Sequence, residues 1–251
     1  MKKIFVIKDL DYKNKIIDNF LSKKECAKII KELNKVSKFD DVVMGGRHRI
    51  NKGSLNFKRF IKKSKNSRNF FNKLNNKNFY QTLSKKFEKM TGKYFLDSTQ
   101  IQQIFSKTIS GSQKGNLITS QKTDTKKNIV YLDMDFSISE KGYSRGPHVD
   151  RDSRVFNFLI YLNDLTKKDG ARLELYNIKK KIVFKNKRFL PEKKLKLVKY
   201  IKPKAGKIVF FESTPNSYHS VTNFYAKKTL KRYFIYGSYS LNKKVLWNTS
   251  Q

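Results

Sequence analysis

The feature that most constrains this chain is a change of hydrophobic period near residue 100. In IVYLDMDFSI, Val130, Leu132, Met134, Phe136 and Ile138 fall on one face and Tyr131, Asp133, Asp135 and Ser137 on the other, which is the two-residue period of a β-strand. VFNFLIYLN, ARLELYN, KIVFFES, HSVTNFY and RYFIYGSYS read as further strands, parted by turn-rich pieces such as NDLTKKDG. Six or more strands with few helical signals between them predict a sandwich or barrel.

Upstream the period is helical. Ser22 followed by Glu25 fits a capping box, in which each side chain satisfies an orphan backbone N–H. Cys26, Ile29, Ile30 and Leu33 then follow the spacing of a helix with one buried face. Phe79, Tyr80, Leu83, Phe87 and Met90 carry a second helical stripe, with Gly92 placed to end it. Residues 45 to 75 are less readable, and GGRHRINKG reads as a flexible loop. There is no internal repeat and no linker rich in glycine, serine or proline. The expectation is therefore a single domain over 1–251 of class α+β, with a mainly helical part at 1–125 packed on a β core at 126–241.

With 251 residues, 38% of them hydrophobic, the chain can bury a full core. No apolar run reaches the roughly 18 residues of a membrane span, and the opening MKKIFVIKDLDYK is broken by charge too soon for a signal peptide. A cytoplasmic protein is expected. The single cysteine excludes an internal disulfide, and its place on a helical stripe makes Cys26 a buried structural thiol. The formal charge of +37 attracts polyanions in a salt-dependent way. Lysine is spread along the whole length, as a solvated surface would have it, although twelve lysines and Arg188 meet one acid, Glu192, between Ile178 and Lys207.

Chemistry enters with RGPHVDRDSR. The chain has three histidines, and His148 stands two places from Asp150. In extended backbone both side chains face the same way and reach one ion. Alone, a His-x-Asp triplet is weak, and it needs a third ligand. His219, after a strongly apolar strand and a turn in FFESTPNSYHSVTNF, supplies one. Two histidines and a carboxylate make the facial set associated with non-haem Fe(II). A zinc hydrolase with the same ligands stays open, though no helical His-Glu-x-x-His is present. Arg232 opens RYFIYGSYS thirteen residues after His219, where an adjacent strand brings its carboxylate-matching fork toward the ion. His48, in the basic GGRHR, reads as a surface residue.

The order His148-Val149-Asp150, FLIYLND, DGARLELY, AGKIVFFES, His219-Ser220-Val221-Thr222 and Arg232 resembles the Fe(II)- and 2-oxoglutarate-dependent oxygenases of the prolyl-hydroxylase-like branch. IIDNFLSKKECAKIIKEL is similar to the helix that opens such proteins. The resemblance covers the second half of the chain well, the first helix loosely and residues 40 to 125 hardly at all. It implies a double-stranded β-helix, a jelly-roll related to cupins, with the metal at one mouth. It implies that His148, Asp150 and His219 bind Fe(II), and that Arg232 pairs with the distal carboxylate of 2-oxoglutarate, helped by the hydroxyl of Tyr161. The implied reaction consumes 2-oxoglutarate and O2, releases succinate and CO2 and hydroxylates a substrate C–H bond, with ascorbate as a candidate stimulant.

Two departures are visible. The basic residue often lies nine to eleven positions after the second histidine, whereas Arg232 is at thirteen, with Lys228 and Lys231 nearby. Ala171 in DGAR stands where a second glycine is frequent. The implied substrate is a small molecule or a protein side chain. Arg151 and Arg154, with Arg145, Arg47 and Arg49 near them in sequence or loop, point to an anionic one. The alternatives are an oxygenase acting on nucleic acid, which the charge favours but no base-stacking cluster supports, and a non-catalytic binding module on the same scaffold.

Overall fold

The alternating run forms one long strand at the centre of a large sheet. The computed structural model describes residues 3–88, 101–103, 128–151, 153–179, 188–225 and 229–241. Met90, Gly92 and Lys228 lie outside the described residues, as do 180–187 of the lysine-dense stretch.

Thirteen described strands and four helices follow one another along the chain. They are β1 (Ile4–Phe5), β2 (Asn14–Ile17), α1 (Lys23–Leu33), β3 (Asp41–Val43), β4 (Arg47–Asn51), α2 (Leu55–Lys63), α3 (Lys65–Leu74), α4 (Lys77–Glu88) and β5 (Ile101–Gln103), then β6 (Asn128–Ser139), β7 (Arg145–His148), β8 (Arg154–Tyr161), β9 (Leu173–Ile178), β10 (Leu195–Ile201), β11 (Ile208–Glu212), β12 (His219–Val221) and β13 (Arg232–Leu241). The major sheet runs β1-β2-β11-β8-β13-β6-β4-β3, with β5 beside β6, and the minor sheet runs β10-β9-β12-β7. Apart from the parallel β5–β6 pair, the described ladders are antiparallel. Two antiparallel sheets wound in this way form the double-stranded β-helix.

Each face of the major sheet has its own core. On β6 the even residues Val130 to Ile138 join Phe156, Phe158 and Phe210 against the helices. The odd residues Asp133, Asp135 and Ser137 point between the sheets, buried and polar. The second core, including Leu159, Tyr161, Leu173, Leu175, Phe211 and Phe234, fills the space between the two sheets behind that polar region.

The helices obey the sequence signals. Ser22 accepts from the Glu25 N–H, and the Glu25 carboxylate accepts from the Ser22 N–H at 2.7 Å, so both halves of the capping box form. Cys26, Ile29 and Leu33 are buried. On α4, Tyr80 and Leu83 are buried.

One sequence expectation is corrected. GGRHRINKG is a tight turn followed by strand β4, which pairs with β6 from Arg47↔Ser139 to Asn51↔Asp135. Met44, Gly45 and Gly46 adopt positive φ values of 52°, 70° and 122° to make the turn from β3. Strand period is hidden there because the inward side chain of Arg47 is charged: its guanidinium contacts both oxygens of Asp135 at 2.7 Å and Ser137 at 3.0 Å. Residues 55–74 are also ordered, as α2 and α3.

Candidate metal centre

His148 ends β7 and His219 begins β12, and the two are directly opposed across that ladder. Their rings lie 4.3 Å apart. Asp150, two residues past His148, brings Oδ2 to 3.5 Å from His219 Nε2. All three residues offer ligand atoms within 4.8 Å of one another, and all three are buried. His48 stands elsewhere, partly exposed on β4, 3.8 Å from Glu140 just past the end of β6.

The backbone selects the imidazole tautomers. His148 Nδ1 donates to the Gly146 carbonyl at 2.8 Å, and His219 Nδ1 donates to the Ser217 carbonyl at 3.0 Å. A carbonyl only accepts, so each Nδ1 carries the proton and each Nε2 is left with a lone pair, that of His219 3.5 Å from Asp150 Oδ2. Burial keeps both rings neutral. His148 is pushed down to about 3 by burial and then by its neighbour His219, and His219 is lowered by burial first.

Asp150 is the opposite case. Burial works to raise its pKa, but the charge of Arg154, then His219 and His148, and the Tyr236 hydroxyl together hold it well below the usual carboxylate range. Arg154 Nη1 is 3.0 Å from Oδ1, and Tyr236 Oη donates to Oδ2 at 2.5 Å. An ionised carboxylate beside two neutral imidazoles, each presenting a lone pair, suits one divalent cation of the Fe(II) type.

The site opens into a cavity of about 350 Å³. Arg232 stands on its wall at the start of β13, 1% exposed. Its guanidinium packs 4.1 Å from the Phe234 ring and 5.7 Å from the Tyr161 ring. Neither the Arg232 guanidinium nitrogens nor Tyr161 Oη make a hydrogen bond of standard geometry among the described residues. Tyr161 is pushed up to about 12, by burial first, while the nearby arginine charge acts the other way. A buried fork of donors beside the Tyr161 and Tyr143 hydroxyls, with no hydrogen bond of standard geometry, has the chemistry to accept a carboxylate. Lys231 turns outward and pairs with Glu140 at 3.2 Å.

The arginines named in the sequence divide into different tasks. Arg154 is mostly buried and committed to Asp150 and Tyr236, the latter at 2.6 Å. Arg151 is exposed on the rim. Sequence reasoning missed Tyr236 and the Arg47–Asp135 pair. Tyr236 was within reach, since it shares the face of Arg232 and Phe234 at period two. The Arg47 pairing depends on the β4–β6 register, which no local signal announces.

Comparison with known proteins follows the same lines. Residues 134–239 match the family model described as the 2OG-Fe(II) oxygenase superfamily. Among solved structures, a Pseudomonas putida prolyl-4-hydroxylase superposes with a TM-score of 0.51 at 13% identity, over 92% of this chain and 93% of that one. A prolyl 4-hydroxylase from Phytophthora capsici gives 0.52 at 15% identity over 90% of this chain, which spans 58% of that protein's length. At these identities the likeness is one of fold. A search of curated protein sequences returns no match.

Proposed function

We propose, from the match of residues 134–239 to the 2OG-Fe(II) oxygenase superfamily, whose cofactors are Fe(II), 2-oxoglutarate and O2, that the chain hydroxylates a C–H bond of a small molecule or protein side chain. The carrying observation is the convergence of His148, Asp150 and His219 within 4.8 Å, with the buried Arg232, which makes no hydrogen bond of standard geometry, on the same cavity wall.

In this reading His148 Nε2, His219 Nε2 and an Asp150 oxygen would hold Fe(II). The chemistry that Fe(II) would supply there is oxidation of the substrate by O2 coupled to decarboxylation of 2-oxoglutarate, giving succinate and CO2. The protein's own part is placement. Gly146 and Ser217 carbonyls fix the imidazoles, while Arg154 and Tyr236 keep Asp150 ionised and oriented. Arg232 and Tyr161 receive the distal carboxylate of 2-oxoglutarate, trading buried unmet donors for charge-assisted hydrogen bonds. The apolar Leu159, Leu173 and Phe211 wall the cavity and limit water at the reacting carbon.

No described helix is long and apolar enough to cross a membrane. A cytosolic location belongs to the same proposal and is supported by the lone buried thiol, Cys26.

The test is succinate release from 2-oxoglutarate with Fe(II), ascorbate and air, screened against metabolites and peptides for stimulation. Turnover that disappears in His148→Ala supports the proposal. Equal turnover in both proteins, or none with any candidate substrate despite bound metal, would overturn it.

A further inference from the structure

The cavity wall carries more positive charge than metal and 2-oxoglutarate account for. Arg47 is spent on Asp135 at 2.7 Å, Arg49 on Asp41 at 2.7 Å and Arg154 on Asp150 at 3.0 Å. Arg232 has its own place deep on β13. Of the three other lining arginines, Arg151 is exposed on the rim, while Arg145 and Arg188 share one aromatic neighbour. Neither makes an ion pair among the described residues.

These two are set as a pair. Their guanidinium carbons each lie 5.5 Å from the centre of the Phe189 ring, so one aromatic side chain orients both cations. Arg145 Nε is buried without a hydrogen-bond partner, and Arg188 Nε reaches only the Val149 carbonyl, at 3.3 Å. The pair is tied to the metal site by backbone: Phe189 bridges to His148, and Arg145 opens the strand that His148 ends. Arg188 and Phe189 are exposed at the cavity mouth and Arg145 is half-buried. Partial desolvation lowers Arg188 first, the nearby Asp150 acts the other way, and the charges of Arg145, Arg151 and Arg154 lower it further. That acid is already engaged by Arg154 and Tyr236.

Like charges gathered on a shared ring beside a reaction site, with unused donors, call for an anion to complete them. We infer that Arg145 and Arg188 form the substrate's anion subsite, so that the molecule oxidised carries a carboxylate or phosphate near the carbon presented to the metal. This rests on the proposed oxygenase reading for the word substrate, but the anion subsite itself does not depend on metal. Arg151, on the same rim, adds to the field.

The experiment is calorimetric titration with inorganic phosphate and, separately, acetate, at fixed 0.15 M NaCl. It is run on the metal-free protein and on protein loaded with Zn(II) and 2-oxoglutarate. The expected result is one saturable site whose affinity falls at least tenfold in Arg145→Gln/Arg188→Gln in both states, with metal and 2-oxoglutarate binding retained. The stronger of the two anions identifies the group. A Lys196→Gln/Lys199→Gln/Lys202→Gln protein, altered on the exposed edge of β10, should bind phosphate like the parent. Equal binding by parent and double-arginine protein overturns the inference, as does an equal loss in the lysine variant, which would mean general surface charge. Failure to load metal and 2-oxoglutarate while the arginine-dependent site persists would instead count against the oxygenase reading.

Discussion

Arg154 stands 3.0 Å behind Asp150, four residues on, with Tyr236 donating to the other carboxylate oxygen. The proposed metal ligand Asp150 is thus held by two groups that do not themselves belong to the candidate ligand set. Outer partners of this kind orient the ligand, and their loss typically weakens metal binding about 10- to 100-fold. Arg154→Gln should fall in that range, and Tyr236→Phe, which keeps the ring and the arginine, should cost less. Zn(II) dissociation constants by competition with a chelating dye would check the order. Undiminished affinity in Arg154→Gln would show that Asp150 needs no such support.

Arg232 makes a prediction of opposite sign for stability and activity. Its guanidinium is buried among rings with no hydrogen bond of standard geometry and no carboxylate partner among the described residues, a situation that disfavours the ligand-free fold. Arg232→Met should therefore leave the ligand-free protein at least as stable as the parent in urea. The same change should raise the 2-oxoglutarate KM by about 100-fold, the loss of a buried charge-assisted pair. Added 2-oxoglutarate, with metal, should raise the Tm of the parent and not of the variant. A destabilised ligand-free variant with an unchanged KM would make Arg232 a structural residue.

Legibility followed how far each signal lies along the chain. The β6 alternation, the α1 capping box and the His148–Asp150 spacing are local, and each could be read directly. His219 and Arg232 were reachable because each sits at the start of a recognisable strand. The β4 strand was not, because its inward-facing Arg47 answers to Asp135, 88 residues away, and removes the apolar alternation that announces a strand. The division of labour among the arginines was equally hidden. Arg154 reads in sequence like Arg151, and only the fold turns one onto Asp150 and leaves the other on the rim.

Gly206 pins the first helix to the β core. Its carbonyl accepts from the Phe20 N–H at 2.8 Å, and its own N–H donates to the Tyr161 carbonyl at 2.9 Å. It adopts φ +78°, and an added Cβ would lie 1.9 Å from the Leu21 carbonyl oxygen. Both the left-handed backbone and the clash with main chain oppose any side chain. Gly206→Ala should destabilise by about 3 kcal/mol or more, read from urea midpoints. A change below about 1 kcal/mol would mean that this turn relaxes freely.

Lys52 gives the pH prediction away from the His148, Asp150 and His219 cluster. It is fully buried, with Nζ donating to the Leu132 carbonyl at 2.7 Å. Burial lowers its pKa to about 8 from 10.5, with Asp133 acting in the other direction. Below pH 8 both folded and unfolded chains hold the proton, and the folded state bears the full penalty. Between pH 8 and 10.5 the unfolded chain alone holds it, so this residue's contribution to stability rises with pH across that window. The 2.5-unit gap corresponds to roughly 3 kcal/mol. Lys52→Met removes the titration. Its stability relative to the parent should therefore be greatest near pH 7.5 and decline by about 3 kcal/mol on reaching pH 10.5. Urea unfolding of both proteins at several pH values measures the difference directly, and parallel curves would show that Lys52 titrates alike in the folded and unfolded chain.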